Sequence, residues 1–344
     1  MHKKKIIILS ITLITIIGIV KGQDAAFSQF YSSSLYLNPA LAGNEQALTL
    51  STNYRTQWRS IVLPYVTSQA SIIHPIYKED FTKIHVGGFG VSMFNDRAGD
   101  GNFKTLGLNL NFAYNLWLDQ SFRHRLSVGL QAGFVQKRVD YTNLQWGEQF
   151  NPFIGFDATI DPTEADFGDG RLYPDFSVGI MYHYDPTQQL DISPYIGISF
   201  YHINRPDESF VNGVESKLPL LVKINGGLNY RLSEDLSISP NVLFLRQAQQ
   251  DQLNLGVYGE YKVFYGDRGI LTQTSIIGGV WYRVSDAVIT SLGLTNANYT
   301  IAFSYDYNTS SLRFATRGRG AYEISLTLRK FKEQTTKRYA TPRI

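Results

Sequence analysis

Between Leu106 and Leu116 the chain alternates without a slip, and few folds accept such a stretch. Leu106, Leu108, Leu110, Phe112, Tyr114 and Leu116 are apolar or aromatic, whereas Gly107, Asn109, Asn111, Ala113 and Asn115 are small or polar. A period of two puts these sets on opposite faces of one strand. A half-buried strand of a soluble sheet alternates in the same way, so length is the discriminating property. A strand that crosses the hydrocarbon layer needs ~9–11 residues. The run 103–116 is long enough.

The pattern recurs along the chain. Strands are expected at 47–55, 65–73, 84–94, 103–116, 126–134, 175–184, 192–201, 218–231, 236–245, 253–264, 271–283, 287–295, 298–307 and 316–328. An even number of about fourteen suits a single-chain outer-membrane barrel. The connections after even strands are short, whereas the two longest, 137–172 and 203–217, follow odd strands. With the mature N-terminus in the periplasm, both long loops then lie outside, which is the usual asymmetry. Charged residues are 18% of the chain, below the roughly 25% of a globular protein, and Gly, Asn and Tyr are frequent. The expected inward set is Asn109, Asn111, Lys223, Asn225, Asn229, Glu260, Lys262 and Glu323. A soluble β-sandwich would bury the apolar faces against each other. Strand length, and Tyr and Phe near strand ends, favour a barrel with interfacial girdles.

Around the barrel, 46–331, lie shorter segments. Lys3, Lys4 and Lys5 precede the apolar run Ile6–Val20, and Val20-Lys21-Gly22 offers a cleavage point, so 1–22 is expected to be a cleaved signal peptide. Its removal takes away four lysines and leaves 28 basic against 29 acidic residues, so the net charge of +3 belongs to the leader and does not indicate nucleic-acid binding. Residues 23–45 carry aromatics and turn signals but no long alternation, and are expected to be lumenal or periplasmic. Residues 332–344 form a polar tail. The chain has no cysteine, which removes disulfide frameworks and thiolate metal sites.

Motifs for chemistry are weak. The acidic stretch 157–169 invites a calcium reading, but its spacing is not that of an EF-hand, and a solvated loop explains it. Asp166-Phe167-Gly168 lacks the other kinase motifs, and Gly318-Arg319-Gly320 lacks the rest of a dinucleotide fingerprint. His183 and His202, near ends of neighbouring strands, are the only histidines a membrane lipase could use. No nucleophile, base and orienting group are visible together, so no enzyme, cofactor or metal is expected.

One set of motifs does point to a family. Phe27-Ser28-Gln29-Phe30, the run Leu35-Tyr36-Leu37-Asn38-Pro39-Ala40-Leu41-Ala42-Gly43, Tyr54-Arg55-Thr56-Gln57-Trp58 and Gly90-Val91-Ser92-Met93-Phe94-Asn95-Asp96-Arg97 resemble the opening of the PorP/SprF family. Tyr322-Glu323-Ile324-Ser325-Leu326 is similar to its closing strand. After Trp58 the chain departs, with Arg59-Ser60-Ile61-Val62-Leu63-Pro64 in place of a Gly-rich loop. The resemblance implies an outer-membrane component associated with type IX secretion in a Gram-negative bacterium. It would help secrete or anchor an adhesin-like, gliding-related surface protein by binding its C-terminal sorting domain. Other secretion components and outer-membrane lipid are the further partners. The family-motif residues with a structural or partner-contact role are then Phe27, Gln29, Asn38, Pro39, Ala40, Gly43, Tyr54, Arg55, Gln57, Trp58, Asn95 and Asp96. Loops on a rigid scaffold commonly carry recognition, so Trp146, Phe153, Phe156, Asp157, Asp161 and Phe167 are the expected cargo contacts. The alternative is a passive porin or small-solute channel.

Overall fold

Alternation along the chain resolves into one wall. The computed structural model describes residues 24–60, 64–78, 84–99, 101–140, 144–157, 159–160, 170–185, 192–211, 213–263 and 273–331. Residues 1–22, expected to be a signal peptide, and the tail 332–344 lie outside the described residues. Fourteen antiparallel strands close into a barrel. In chain order they are β1 (Leu48–Gln57), β2 (Tyr65–Tyr77), β3 (His85–Ala98), β4 (Phe103–Trp117) and β5 (His124–Arg138). Then come β6 (Gly170–Tyr184), β7 (Ile192–Tyr201), β8 (Leu221–Arg231), β9 (Leu236–Gln247) and β10 (Gln250–Lys262). The last are β11 (Ser275–Arg283), β12 (Ala287–Thr295), β13 (Tyr299–Asn308) and β14 (Arg319–Lys330). Each strand pairs with its sequence neighbour, and β1 pairs with β14 from Leu48↔Lys330 to Gln57↔Ala321, so no edge is left open.

The two faces of the wall differ as a membrane demands. On β4, Leu108 and Leu110 are 54% and 53% exposed on the outer face, while Asn109, Asn111 and Asn115 are buried in the interior. Phe134, Phe176, Ile196 and Leu292 continue the apolar exterior on other strands. A soluble protein rarely exposes so large a contiguous apolar surface, whereas hydrocarbon solvates it. Among the described residues, no helix is long and apolar enough to cross a membrane, and the crossing is made by strands.

Several strands run past or fall short of the expected bounds, and three of these boundaries have a clear physical cause. β3 continues through Asn95-Asp96-Arg97 rather than ending at Phe94, because these residues pair with Leu106, Thr105 and Lys104. β8 starts at Leu221, not 218. Leu218 turns inward instead, is buried with Val135 and Tyr173, and donates its N–H to Pro206 O at 2.9 Å. β14 starts at Arg319, not 316. A single helical turn, Arg313–Thr316, precedes it and is closed by Arg317 (φ 54°) and Gly318 (φ 76°) in the left-handed region, which breaks the extended backbone there.

Candidate functional site

A lumen wide enough for fourteen strands must be filled or wet. Here residues 24–46 run through it from the long-loop end to the short-turn end. Asp24 begins beside His202 and Gln247, both at strand ends next to outer loops. Gln46 ends beside Tyr77, next to the β2–β3 turn, with the Tyr77 hydroxyl donating to Gln46 O. Between them, Phe27, Phe30, Leu35, Leu37, Ala40, Leu41 and Ala42 are buried.

Local sequence explains the shape of this plug. Ser34–Leu37 makes one helical turn, α1, and Pro39–Gly43 a 3-10 turn. Asn38 joins them and caps the second. Its Oδ1 accepts from Ala40 N at 2.9 Å, and proline at the first turn position needs no N–H partner. The Asn38 Nδ2 donates to Ile180 O (3.1 Å) on β6 and Ile198 O (3.3 Å) on β7. The wall is cut away to receive the turn. At Gly88, Gly129 and Gly179 an added Cβ would run into Ala42, Ala40 and Asn38 respectively.

Upstream of the turns, the plug meets a buried charge cluster on the wall. Arg55 on β1 pairs with Asp306 on β13 at 2.9 Å and with Glu323 on β14 at 3.4 Å. Arg283 on β11 also reaches Asp306, at 3.3 Å. Ser28 sits at the centre: its hydroxyl donates to Asp306 and accepts from Arg55 and from Arg283. The backbone N–H groups of Ser28 and Gln29 donate to the two Glu323 oxygens at 2.7 and 3.2 Å. Gln29 Nε2 donates to Glu323 O and to Ser304, and Gln29 Oε1 accepts from Ser325. A buried charge is tolerable only when paired and hydrogen-bonded, and this cluster is both. Further along, Tyr31 stacks on Tyr258 and Trp281 at 5.8 and 5.5 Å. Lys223 Nζ lies 4.1 and 4.2 Å from the ring centroids of Tyr36 and Tyr201 and donates to Tyr36 O.

The first plug residue is latched. His202 stands between Asp24 (2.7 Å) and Asp175 (2.9 Å). Burial opposes its charge, but Asp24 and the hydrogen bonds to both carboxylates outweigh that and push the imidazole up to about 10. The same imidazolium, with Lys137 and Lys223, holds Asp24 well below the usual carboxylate range against the effect of burial. His183 lies at the other end of the barrel, stacked on Tyr195, so the two histidines form no common site.

At the long-loop end the β7–β8 connection folds back on the wall. In the β7–β8 connection, Asp207 bridges to Lys217, and Glu208 N donates to Ser216 O. Two ion pairs tie this loop down: Glu208 to Lys137 on β5, and Asp207 to Arg171 on β6 at 3.0 Å. Phe210 meets Phe103 edge-on at 6.2 Å. The β5–β6 connection projects instead. Phe150–Asn151 and Gly155–Phe156 form a two-residue hairpin with Phe153 95% exposed at its tip and Ile154 69% exposed. Gln149 fastens its base, donating to Ile160 O at 2.8 Å.

The structure therefore separates the residues singled out in the sequence into three places. Phe27, Gln29, Asn38, Pro39, Ala40 and Gly43 belong to the plug, and Arg55 to its receptor, with Gln57 accepting from Arg55 at 3.2 Å. Tyr54 faces lipid and is 49% exposed, while Trp58 follows β1 in the left-handed region (φ 54°). Asn95 and Asp96 sit on β3, where Thr67 donates to Asp96 at 2.6 Å. Trp146, Phe153, Phe156 and Asp157 belong to the projecting loop, and the Asp157 carboxylate accepts from Thr159. Asp161 and Phe167, with the rest of the acidic stretch, lie outside the described residues. Asp306, Arg283, Asp24 and Asp175 were not visible as partners in the sequence. For Asp175, Arg283 and Asp306 the one signal was polarity at inward positions of the strands, and Asp24 lies on no strand.

Comparison with known proteins bears on this geometry. A family model described as type IX secretion system membrane protein PorP/SprF matches residues 19–328. No curated protein matches the chain. Among solved structures, the chain is similar to the toluene transporter TbuX of Ralstonia pickettii, with 12% identity and a TM-score of 0.51, over 90% of this chain and 96% of that one. It is also similar to the monoaromatic hydrocarbon channel CymD, with 13% identity and a TM-score of 0.50, again over 90% and 96%. At these identities the likeness establishes an outer-membrane barrel fold.

Proposed function

The chain belongs to the PorP/SprF family of type IX secretion system membrane proteins, and from that premise we propose that it secretes or anchors a large surface protein through its outer loops. The cargo would be an adhesin-like protein presenting a C-terminal sorting domain. The observation that carries this reading is the filled lumen. Residues 24–46 occupy the path that a channel would need, which leaves the outer surface as the place for recognition. On that surface the hairpin of Phe150, Phe153, Ile154 and Phe156 offers exposed apolar side chains on a fastened base. Buried aromatic anchors of this kind supply most of the energy in protein interfaces.

The test is a triple variant, Phe153→Ser/Ile154→Ser/Phe156→Ser, in cells that display the cargo. The barrel should still assemble, judged by heat-modifiable mobility, while cargo moves from the surface into the medium. Unchanged surface retention with the triple variant would overturn the loop assignment. A porin reading needs an open path, so a steady conductance of the unmodified protein in planar bilayers would favour it over the anchor.

A further inference from the structure

The outer rim of the β1–β14 seam carries cations without acidic partners among the described residues. Arg59 follows β1, Arg313 and Arg317 lie in the turn before β14, and Arg319 is the first residue of β14. All four are exposed, and among the described residues no ion pair joins any of them to an acid. Some exposed arginines elsewhere do find acids, as Arg123 meets Asp119, Arg171 meets Asp207 and Arg246 meets Asp251, whereas Arg97, Arg205 and Arg231 stand singly rather than gathered at one seam.

A β-bulge aims one of these cations at the membrane. The register of β13 and β14 runs from Asp306↔Ala321 to Tyr307↔Arg319, which leaves Gly320 unmatched. Ala321 is buried on the lumen side, so a regular strand would point Arg319, two residues earlier, into the lumen as well. The bulge sets it opposite Tyr307 instead, whose ring is 51% exposed on the outer face.

The surroundings form a recess rather than a flat patch. Arg59, Ser60, Arg319, Gly320 and Tyr322 line a cavity of about 290 Å³. Its rim is held by Trp58 N–H donating to Gly320 O at 2.9 Å and by the Ser60 hydroxyl donating to Thr316 O at 3.2 Å. Its floor faces lipid. Tyr322 lies 5.0 Å from Tyr305, and Trp58 meets Tyr65 at 5.0 Å. Tyr and Trp rings at this level mark the boundary between headgroups and hydrocarbon. The recess therefore sits at headgroup depth, with cations above and an apolar wall below.

We propose that this recess binds the phosphorylated headgroup of an outer-membrane lipid. The guanidiniums of Arg59 and Arg319 would clasp the phosphate, and the acyl chains would lie along Tyr322 and Ile324. A planar guanidinium matches phosphate oxygens two at a time, and Arg313 and Arg317 add attraction from the neighbouring turn. The apolar floor favours a lipid over a free phosphate, which has no chains to lay on it.

The experiment equilibrates the full-length detergent-solubilised barrel with vesicles of phosphatidylcholine containing lipid A, then counts retained lipid by native mass spectrometry. The parent protein should retain lipid A and release phosphatidylcholine. Arg59→Gln/Arg319→Gln should retain at least ~10-fold less, a change of about 1.4 kcal/mol. Arg59→Lys/Arg319→Lys should fall between, because a point charge replaces a fork. Heat-modifiable mobility verifies folding, and Arg59→Gln alone, outside the strand ladder, gives a partial loss if the double variant does not assemble. Equal retention by parent and double variant, equal retention of phosphatidylcholine, or displacement of lipid A by millimolar inorganic phosphate would each overturn the assignment.

Discussion

Replacing Asn38 by alanine should loosen the plug without damaging the wall. The side chain makes three hydrogen bonds, to Ala40 N and to the carbonyls of Ile180 and Ile198. The cap bond is worth about 1 kcal/mol. The two donations are worth about 1 kcal/mol each, because those carbonyls belong to paired strands and are not orphaned by the change. The docked state should lose about 3 kcal/mol, which is roughly a hundredfold shift towards undocked plug. The chain has no cysteine, so a single Ser33→Cys reporter, at a site 1% exposed, can read that shift by its rate of maleimide labelling. When opening is fast, modification tracks the open population, so the rate should rise roughly a hundredfold in Asn38→Ala. Asn38→Ser keeps a capping oxygen but loses the two donations, about 2 kcal/mol, and should show a smaller rise, of about thirtyfold. A rate within threefold of the parent, in a barrel that stays heat-modifiable, would refute the idea that Asn38 anchors the plug.

Other substitutions probe the same assembly. Gly129→Val drives its side chain into the Ala40 backbone and should cost the docked plug about 1–3 kcal/mol or more, read by the same reporter. Arg55→Ala leaves Glu323 and Asp306 with fewer cations and should lower stability by about 3 kcal/mol, near the bottom of the range because Arg283 still meets Asp306. Urea titration of protein folded into vesicles measures it, and an unchanged midpoint would contradict the pairing. The latch should respond to pH in a defined direction. His202 is raised when folded, so its contribution is complete below its unfolded value of ~6.5 and is lost as pH rises through about 10. Asp24 is lowered, so its contribution holds above ~3.9 and is lost as pH falls through its depressed value. A spin label at Ala26→Cys should therefore gain mobility near pH 10, and His202→Gln should abolish that alkaline step.

The wall was legible in the sequence because its cause is local. Leu106 to Leu116 alternates because successive side chains of a strand face opposite solvents, and here those solvents are lipid and lumen. Nothing distant is needed to read it, and the strand number and the long loops follow from repeating the same test. The strand ends were less legible, since Asn95-Asp96-Arg97 continues β3 only through its pairing with Leu106, Thr105 and Lys104. The family motifs were visible as separate strings whose purpose was not. Ser28, Arg55, Asp306 and Glu323 lie up to 295 residues apart, and no local rule states that they meet. Closure of the barrel brings them together, and the low dielectric of a filled lumen then makes their pairing obligatory. Arg319 teaches the same lesson at the rim, where parity assigns it to the lumen and one unmatched glycine turns it to the membrane. Local periodicity determined the barrel, while long-range contact decided what fills it and which way its cations face.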